Sequence, residues 1–252
     1  MENKNTYFIA DAHLGSWAIK DTRDKERHLV AFLDSIKEDA KALYILGDMF
    51  DFWYEYRYTV PRGYTRFLGK LSELTDRGIE VHYLVGNHDQ WMMHDYLRQE
   101  CGVTVHTDKL LPITIGNKHF CLAHGDGLDN KDKKYLMLRS IFHSKVCQCL
   151  FSAIHPRWAM KFGYAWARHS RLKHEGQEGI VLPEDKDRTL AFARQYVQEY
   201  PEIDYFIIGH RHVDQQNELP NDGIFIVLGD WITKFTYARF DGNNITVNHF
   251  NP

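Results

Sequence analysis

Seven side chains in this sequence offer oxygen or nitrogen donors just after apolar runs: Asp11, His13, Asp48, Asn87, His124, His210 and His212. Asp11 and His13 follow Tyr7-Phe8-Ile9-Ala10, and Asp48 follows Leu43-Tyr44-Ile45-Leu46-Gly47. Asn87 follows Val81 to Val85 and Gly86; His124 follows Ala123; His210 and His212 follow Phe206-Ile207-Ile208-Gly209. A donor set without thiolate suits hard or borderline divalent ions such as Mn, Fe or Zn. The two oxygens of a carboxylate diverge, so Asp48 is able to bridge two cations. A pair of ions roughly 3.5–4 Å apart activates a shared water and neutralises a phosphoryl oxygen. Each ion needs about three or four protein ligands plus solvent. Any one of these histidines alone reads more often as a packed or surface residue, and Asp48 or Asn87 alone would serve as a turn or helix cap. Five separate sites, each directly after an apolar run, make coincidence a poor account.

The runs that deliver these groups read as short buried strands. Strands are expected at Tyr7 to Ala10, Leu43 to Leu46 and Glu80 to Val85, with helices at Asp24 to Asp39, Thr65 to Arg77 and Gln90 to Glu100. A run of strands follows: Val103 to His106, Leu111 to Ile115 and Lys118 to Ala123, with Gly116-Asn117 as a hairpin turn. Pro183-Glu184-Asp185 predicts a helix start, continuing to Glu199. Closing strands are expected at Asp204 to Ile208, Ile224 to Leu228, Lys234 to Phe240 and Ile245 to His249. Strands alternating with helices, then a strand-rich run, predict a layered α/β sandwich.

The chain has 252 residues with a formal net charge of −3, which excludes generic nucleic-acid binding by the whole surface. That length fits one domain carrying an insertion. The four cysteines form no CxxC pair and imply reduced, cytosolic thiols rather than a disulfide framework. No signal peptide is visible, and no apolar run approaches the roughly 18 residues of a membrane span. A soluble protein is expected, with a surface-bound habit left open.

Asp11-Ala12-His13, Gly47-Asp48-Met49-Phe50-Asp51, Gly86-Asn87-His88-Asp89, His124-Gly125-Asp126 and Gly209-His210-Arg211-His212 resemble the five ordered motifs of the calcineurin-like metallophosphoesterases. The resemblance implies a four-layer αββα sandwich of two mixed sheets and a dinuclear centre. Asp11, His13, Asp48 and His212 would hold one ion; Asp48, Asn87, His124 and His210 would hold the other. It also implies that His88 acts on the substrate phosphate, stabilising it or protonating the leaving oxygen, steered by Asp51. A histidine beside a carboxylate stays protonated closer to neutral pH.

Between Gly125 and about Leu182 the pattern is helical, and a helical lid insertion is expected at about residues 127–182 of a single domain 1–252. From Lys133 to His174 there is no Asp or Glu, while basic residues alternate with Phe142, Phe151, Trp158, Phe162 and Trp166. Such a segment beside a phosphatase site suits an amphiphilic anionic substrate and an anionic membrane surface. An ordinary hairpin packing its apolar face on the domain remains open. The arrangement is similar to the UDP-2,3-diacylglucosamine diphosphatase branch of the family, which acts in lipid A synthesis. That similarity implies pyrophosphate cleavage to UMP and 2,3-diacylglucosamine 1-phosphate, with Mn as the common metal; the apolar and cationic segment itself suggests peripheral attachment to the inner face of the membrane. It implies substrate contacts at Asn87, His88, Asp132, Tyr135, Ser170, Arg171 and His210. No nucleic-acid or obligate protein partner is expected. His88 stands where that branch most often has Arg, which clamps a diphosphate without exchanging a proton. A broader phosphomonoesterase or phosphodiesterase acting on a nucleotide, phosphoprotein or nucleic acid stays open, as does a non-catalytic scaffold. The aromatic run Phe52 to Tyr58 admits loop packing, uridine stacking or an acyl entrance.

Overall fold

The structure is a computed structural model describing residues 5–16, 22–92, 94–128, 133–174 and 179–251. The side chains of Lys134, Tyr135, His143, Arg171, Lys173 and His174 lie outside that description.

Two sheets face each other. The first takes β1 (Asn5–Ile9), β2 (Ala40–Ile45), β3 (Glu80–Leu84), β4 (Thr104–His106), β10 (Thr236–Phe240) and β11 (Ile245–His249), in the order β11-β10-β1-β2-β3-β4. The second takes β5 (Leu111–Ile115), β6 (Lys118–Ala123), β7 (Tyr205–Ile208), β8 (Gln215–Glu218) and β9 (Ile224–Val227), in the order β5-β6-β7-β9-β8. Both are mixed: β1, β2, β3 and β4 run parallel, as do β6, β7 and β9, while β10, β11, β5 and β8 pair antiparallel.

Successive side chains on a strand point to opposite faces, and the apolar runs use both. Phe8, Ala42, Tyr44, Phe120, Leu122, Ile207 and Ile226 fill the space between the sheets. Their neighbours Tyr7, Ile9, Leu43 and Ile45 pack outward against α1 (Thr22–Ile36) and α2 (Thr65–Asp76). Cys121, Ala123, Phe206, Ile208 and Phe225 pack outward against α7 (Arg188–Glu199). Strands buried on both faces read as continuous apolar runs, which is why they stand out in the sequence. The layers are helix, sheet, sheet, helix.

Between β6 and α7 the described residues form α4 (Lys133–His143), α5 (Lys145–Ser152) and α6 (Pro156–His174). The aromatic run after Asp51 packs against them. Phe52, Tyr54 and Trp91 form a buried cluster joined by Phe142, Phe151, Met160 and Tyr164. Polar ends are satisfied across the same contact: the Tyr54 hydroxyl donates to the Gln148 carbonyl (2.9 Å) and the Trp91 indole to the Phe142 carbonyl (3.0 Å). Phe52 and Tyr54 thus serve packing. Tyr58 stands exposed at the loop tip.

Three local expectations change. The helix expected from Gln90 is only α3 (Tyr96–Cys101), because Trp91 is drawn into a bridge with Tyr54 and Asp95 turns left-handed at φ 61°. The helix expected from Glu184 begins at Arg188: residues 183–187 form a turn, and Asp187 caps the helix by accepting from the N–H groups of Thr189 and Leu190. Strand β8, Gln215 to Glu218, was not expected, since its polar sequence carries no alternation and only its edge pairing with β9 makes it a strand.

Candidate metal centre

Parallel strands aim their carboxyl ends the same way, and loops at those ends form the crevice where such sheets bind ligands. Asp11 and His13 leave β1, Asp48 leaves β2, Asn87 and His88 leave β3, His124 leaves β6, and His210 and His212 leave β7. Backbone bonds lock these loops together. Within the first sheet, Asp11 N–H donates to the Gly47 carbonyl (3.1 Å) and His13 N–H to that of Asp48 (3.0 Å). Across the sheets, His210 N–H donates to Asp11 Oδ2 (2.7 Å) and His124 Nδ1–H to the Leu46 carbonyl (2.7 Å).

All seven predicted donors converge. Asp11, His13 and His212 form one group and Asp48, His124 and His210 another, each with its ligand atoms within 4.8 Å of one another. In the first, His13 Nε2 lies 3.2 Å from His212 Nε2 and 3.7 Å from Asp11 Oδ1, which is 3.5 Å from His212 Nε2. In the second, His124 Nε2 lies 3.2 Å from each of Asp48 Oδ2, Asn87 Oδ1 and His210 Nδ1. Asp48 Oδ2 is also 3.8 Å from His13 Nε2, so this carboxylate stands between the groups.

Several observations test whether these residues fit divalent cations. Asp11 Oδ1 is fully buried with no hydrogen-bond partner among the described residues, a costly state for a carboxylate oxygen unless a cation meets it. Because His124 Nδ1 donates to a carbonyl, its tautomer leaves the Nε2 lone pair for a metal, the usual support for a ligating histidine. Asp11, His13, Asp48, His210 and His212 all adopt left-handed φ values, between 44° and 69°. Each such residue costs about 1–3 kcal/mol, and strain of this kind gathers at functional sites. The glycines before the donors leave no room for a side chain: a Cβ on Gly86 would sit 2.1 Å from Asp48 Oδ1, and one on Gly209 2.6 Å from Asp11 Oδ2. The set fits two cations sharing Asp48.

Charge inside the site follows from burial against proximity. Burial would raise the carboxyls of Asp11 and Asp48; surrounding histidines outweigh it and hold both below the usual range, Asp48 chiefly through His124. Burial lowers His124 as well, but the Asp48 carboxylate pushes it well above the ordinary value. His210 is held down to about 4 by burial and by neighbouring His124. A neutral His210 presents a lone pair.

His88 and Asp51 form a third group with His13. The His88 Nδ1–H donates to the Asp51 backbone carbonyl (2.8 Å), while Asp51 Oδ1 lies 3.6 Å from His13 Nδ1. Ser170 lies on α6 and is half-buried. Tyr135 and Arg171 fall on α4 and α6 with their side chains beyond the description, and Asp132 lies outside the described residues.

Sequence reasoning missed two further groups. Gly15, Asp51, Tyr164, Ala165 and Arg168 line a cavity of about 330 Å³ beside the donors; only the fold brings α6 there. Buried Asp89 receives the Tyr83 hydroxyl, Gly86 N–H (2.8 Å) and Phe50 N–H (3.4 Å), bracing the turn that carries Asn87 and His88. Its place directly after His88 was the available signal.

The calcineurin-like phosphoesterase family model matches residues 4–214. A UDP-2,3-diacylglucosamine hydrolase of Porphyromonas gingivalis is 39% identical over 96% of this chain and 95% of its own. Relatives of the same description from Neisseria meningitidis serogroup B and Haemophilus influenzae are each 31% identical. They cover 95% and 90% of this chain, and 95% and 91% of their own lengths. The chain belongs to the calcineurin-like phosphoesterases and is a metal-dependent hydrolase of phosphoester or pyrophosphate bonds.

Proposed function

We propose that this enzyme cleaves the pyrophosphate of UDP-2,3-diacylglucosamine to UMP and 2,3-diacylglucosamine 1-phosphate, with Mn as its resident metal. The observation that carries the reading is the acid-free helical segment α4–α6 beside the donor cluster, in a chain similar over nearly its whole length to relatives named for that substrate. The segment acts as a lid on a single domain: its apolar side chains house acyl chains, and Arg168 meets the diphosphate. A protein or nucleic-acid substrate would need an open groove instead. Assaying UDP-diacylglucosamine beside a phosphopeptide, a cyclic nucleotide and DNA tests the substrate; preference for any of the last three contradicts it.

Two divalent cations held by Asp11, His13, Asp48 and His212, and by Asp48, Asn87, His124 and His210, would neutralise phosphoryl charge and lower the pKa of a water. The chain's own groups orient the rest. The Asp51 carbonyl fixes the His88 ring through Nδ1, so Nε2 meets a phosphoryl or leaving oxygen. Asp132, Tyr135, Ser170 and Arg171 contact the substrate's polar groups. Tyr164 and Ala165 line the cavity together with Asp51. Replacing His88 by Ala should lower kcat by roughly 10²-fold or more while both ions stay bound; calorimetric Mn titration beside turnover checks this, and an unchanged kcat rules the role out.

The same segment supports docking at the inner face of the membrane. Trp158, Phe162 and Trp166 are exposed at four-residue spacing on α6, and Val146 and Leu150 on α5. Exposed Lys145, Arg157 and Lys161 lie on the same helices. Surface cations contribute about 1 kcal/mol each near anionic lipid. Changing all three to Gln should therefore weaken binding to phosphatidylglycerol vesicles by roughly 100-fold. Sedimentation with vesicles reads the effect; equal binding to neutral vesicles would contradict it.

A further inference from the structure

Arg211 stands between His210 and His212, in a turn whose flanking residues are both left-handed. Its side chain leads away from the donor cluster. The guanidinium Nη1 donates to Asp187 Oδ2 and to Thr189 Oγ1 (3.4 Å), and Nη2 to the Ile180 carbonyl (3.5 Å). The Arg211 carbonyl in turn accepts Gly179 N–H (3.3 Å). Asp187 is almost wholly buried, and its other oxygen caps α7 through Thr189 N–H (3.0 Å) and Leu190 N–H (3.1 Å). Gln215 Nε2 donates to the same Oδ2 (3.2 Å). One carboxylate therefore joins the start of α7, the edge strand β8 and the turn carrying one donor of each group. The strap at residues 179–180, which returns from the helical segment, is tied to that turn by two bonds to Arg211.

We propose that Asp187 is a positioning residue: acting through Arg211, it fixes the left-handed turn that places His210 and His212, and anchors the returning strap to it. This rests on the reading of those histidines as metal donors. A guanidinium is suited to the task because its planar fork holds several acceptors at fixed angles, which a lysine ammonium does not. Removing one partner of a buried ion pair leaves the other uncompensated, so the turn loses its brace. Since the turn supplies one histidine to each group, both ions should weaken together.

The test is Asp187→Asn, whose side-chain oxygen still caps α7 while its amide turns a donor toward the guanidinium. Calorimetric Mn titration should show both dissociation constants raised, by about 10–100-fold as for other partners of ligating residues. At saturating Mn, kcat should fall with KM little changed. Arg211→Lys, which keeps the charge and loses the fork, should shift both constants in the same direction and serves if the first variant does not fold. Arg194→Gln, which breaks an exposed pair between α7 and Glu184 in the turn before it, should match the wild type. Wild-type Mn affinity in Asp187→Asn or Arg211→Lys, even with a lowered melting temperature, overturns the proposal. Wild-type protein that binds no divalent ion overturns the metal reading itself, and the proposal with it.

Discussion

Asp48→Ala is expected to abolish binding of both ions and to lower kcat by at least roughly 10³-fold. Asp48 Oδ2 lies 3.2 Å from His124 Nε2 and 3.8 Å from His13 Nε2, so its loss removes a carboxylate that reaches both sets of donors. Its other oxygen accepts His88 N–H at 2.8 Å, so the substitution also frees the turn carrying His88. The signature separates this from simple unfolding. A ligand at 100 times its dissociation constant stabilises by about 2.7 kcal/mol, so Mn should raise the melting temperature of the wild type clearly and that of the variant not at all. Without metal the variant should melt below the wild type, because Ala takes the carboxylate partner from His124 and from the His88 N–H, so the Mn-dependent shift of each protein is the quantity to compare. Full turnover by metal-free Asp48→Ala protein would refute the mechanism.

The second large effect needs only one added methyl group. Gly86→Ala would put a Cβ 2.1 Å from Asp48 Oδ1 and 2.7 Å from the Asp48 backbone nitrogen. A side chain swings away at little cost; a backbone nitrogen does not. The loops after β2 and β3 must separate, and misplacement of about 1 Å in such a site costs about 10²-fold in rate. Stability should drop by about 1–3 kcal/mol as well. Gly69→Ala on α2, where a Cβ meets nothing, should instead be neutral or stabilising by about 0.5–1 kcal/mol. Urea denaturation and steady-state kinetics on the two variants read both effects; wild-type turnover in Gly86→Ala would contradict the close packing described.

The seven donors were legible because their strands end buried, which turns the last residues of each strand into an apolar run with a polar residue after it. Phe206-Ile207-Ile208 before His210 and Leu43-Tyr44-Ile45-Leu46 before Asp48 show this plainly. Asn87 was found in the same way, though it could equally have capped a turn. What escaped depends on distant parts of the chain. Gln215 to Glu218 forms a strand only because β9 offers it an edge. Trp91 resists the helix its neighbours favour because Tyr54 and Phe142 supply better contacts. Asp187 and Arg211 are 24 residues apart, and no spacing rule joins an α7 cap to the turn after β7. Arg168 meets the cavity only because α6 folds back over Asp51. The aromatic run could be seen in the sequence, but its partners could not: Phe52 and Tyr54 pack against helices about 100 residues further on.

Crystals grown with Mn and measured for anomalous scattering at its absorption edge test the central claim most directly. The account predicts two peaks roughly 3.5–4 Å apart, one among Asp11, His13, Asp48 and His212, the other among Asp48, Asn87, His124 and His210. A lone peak, or Mn bound only elsewhere on the chain, would contradict it.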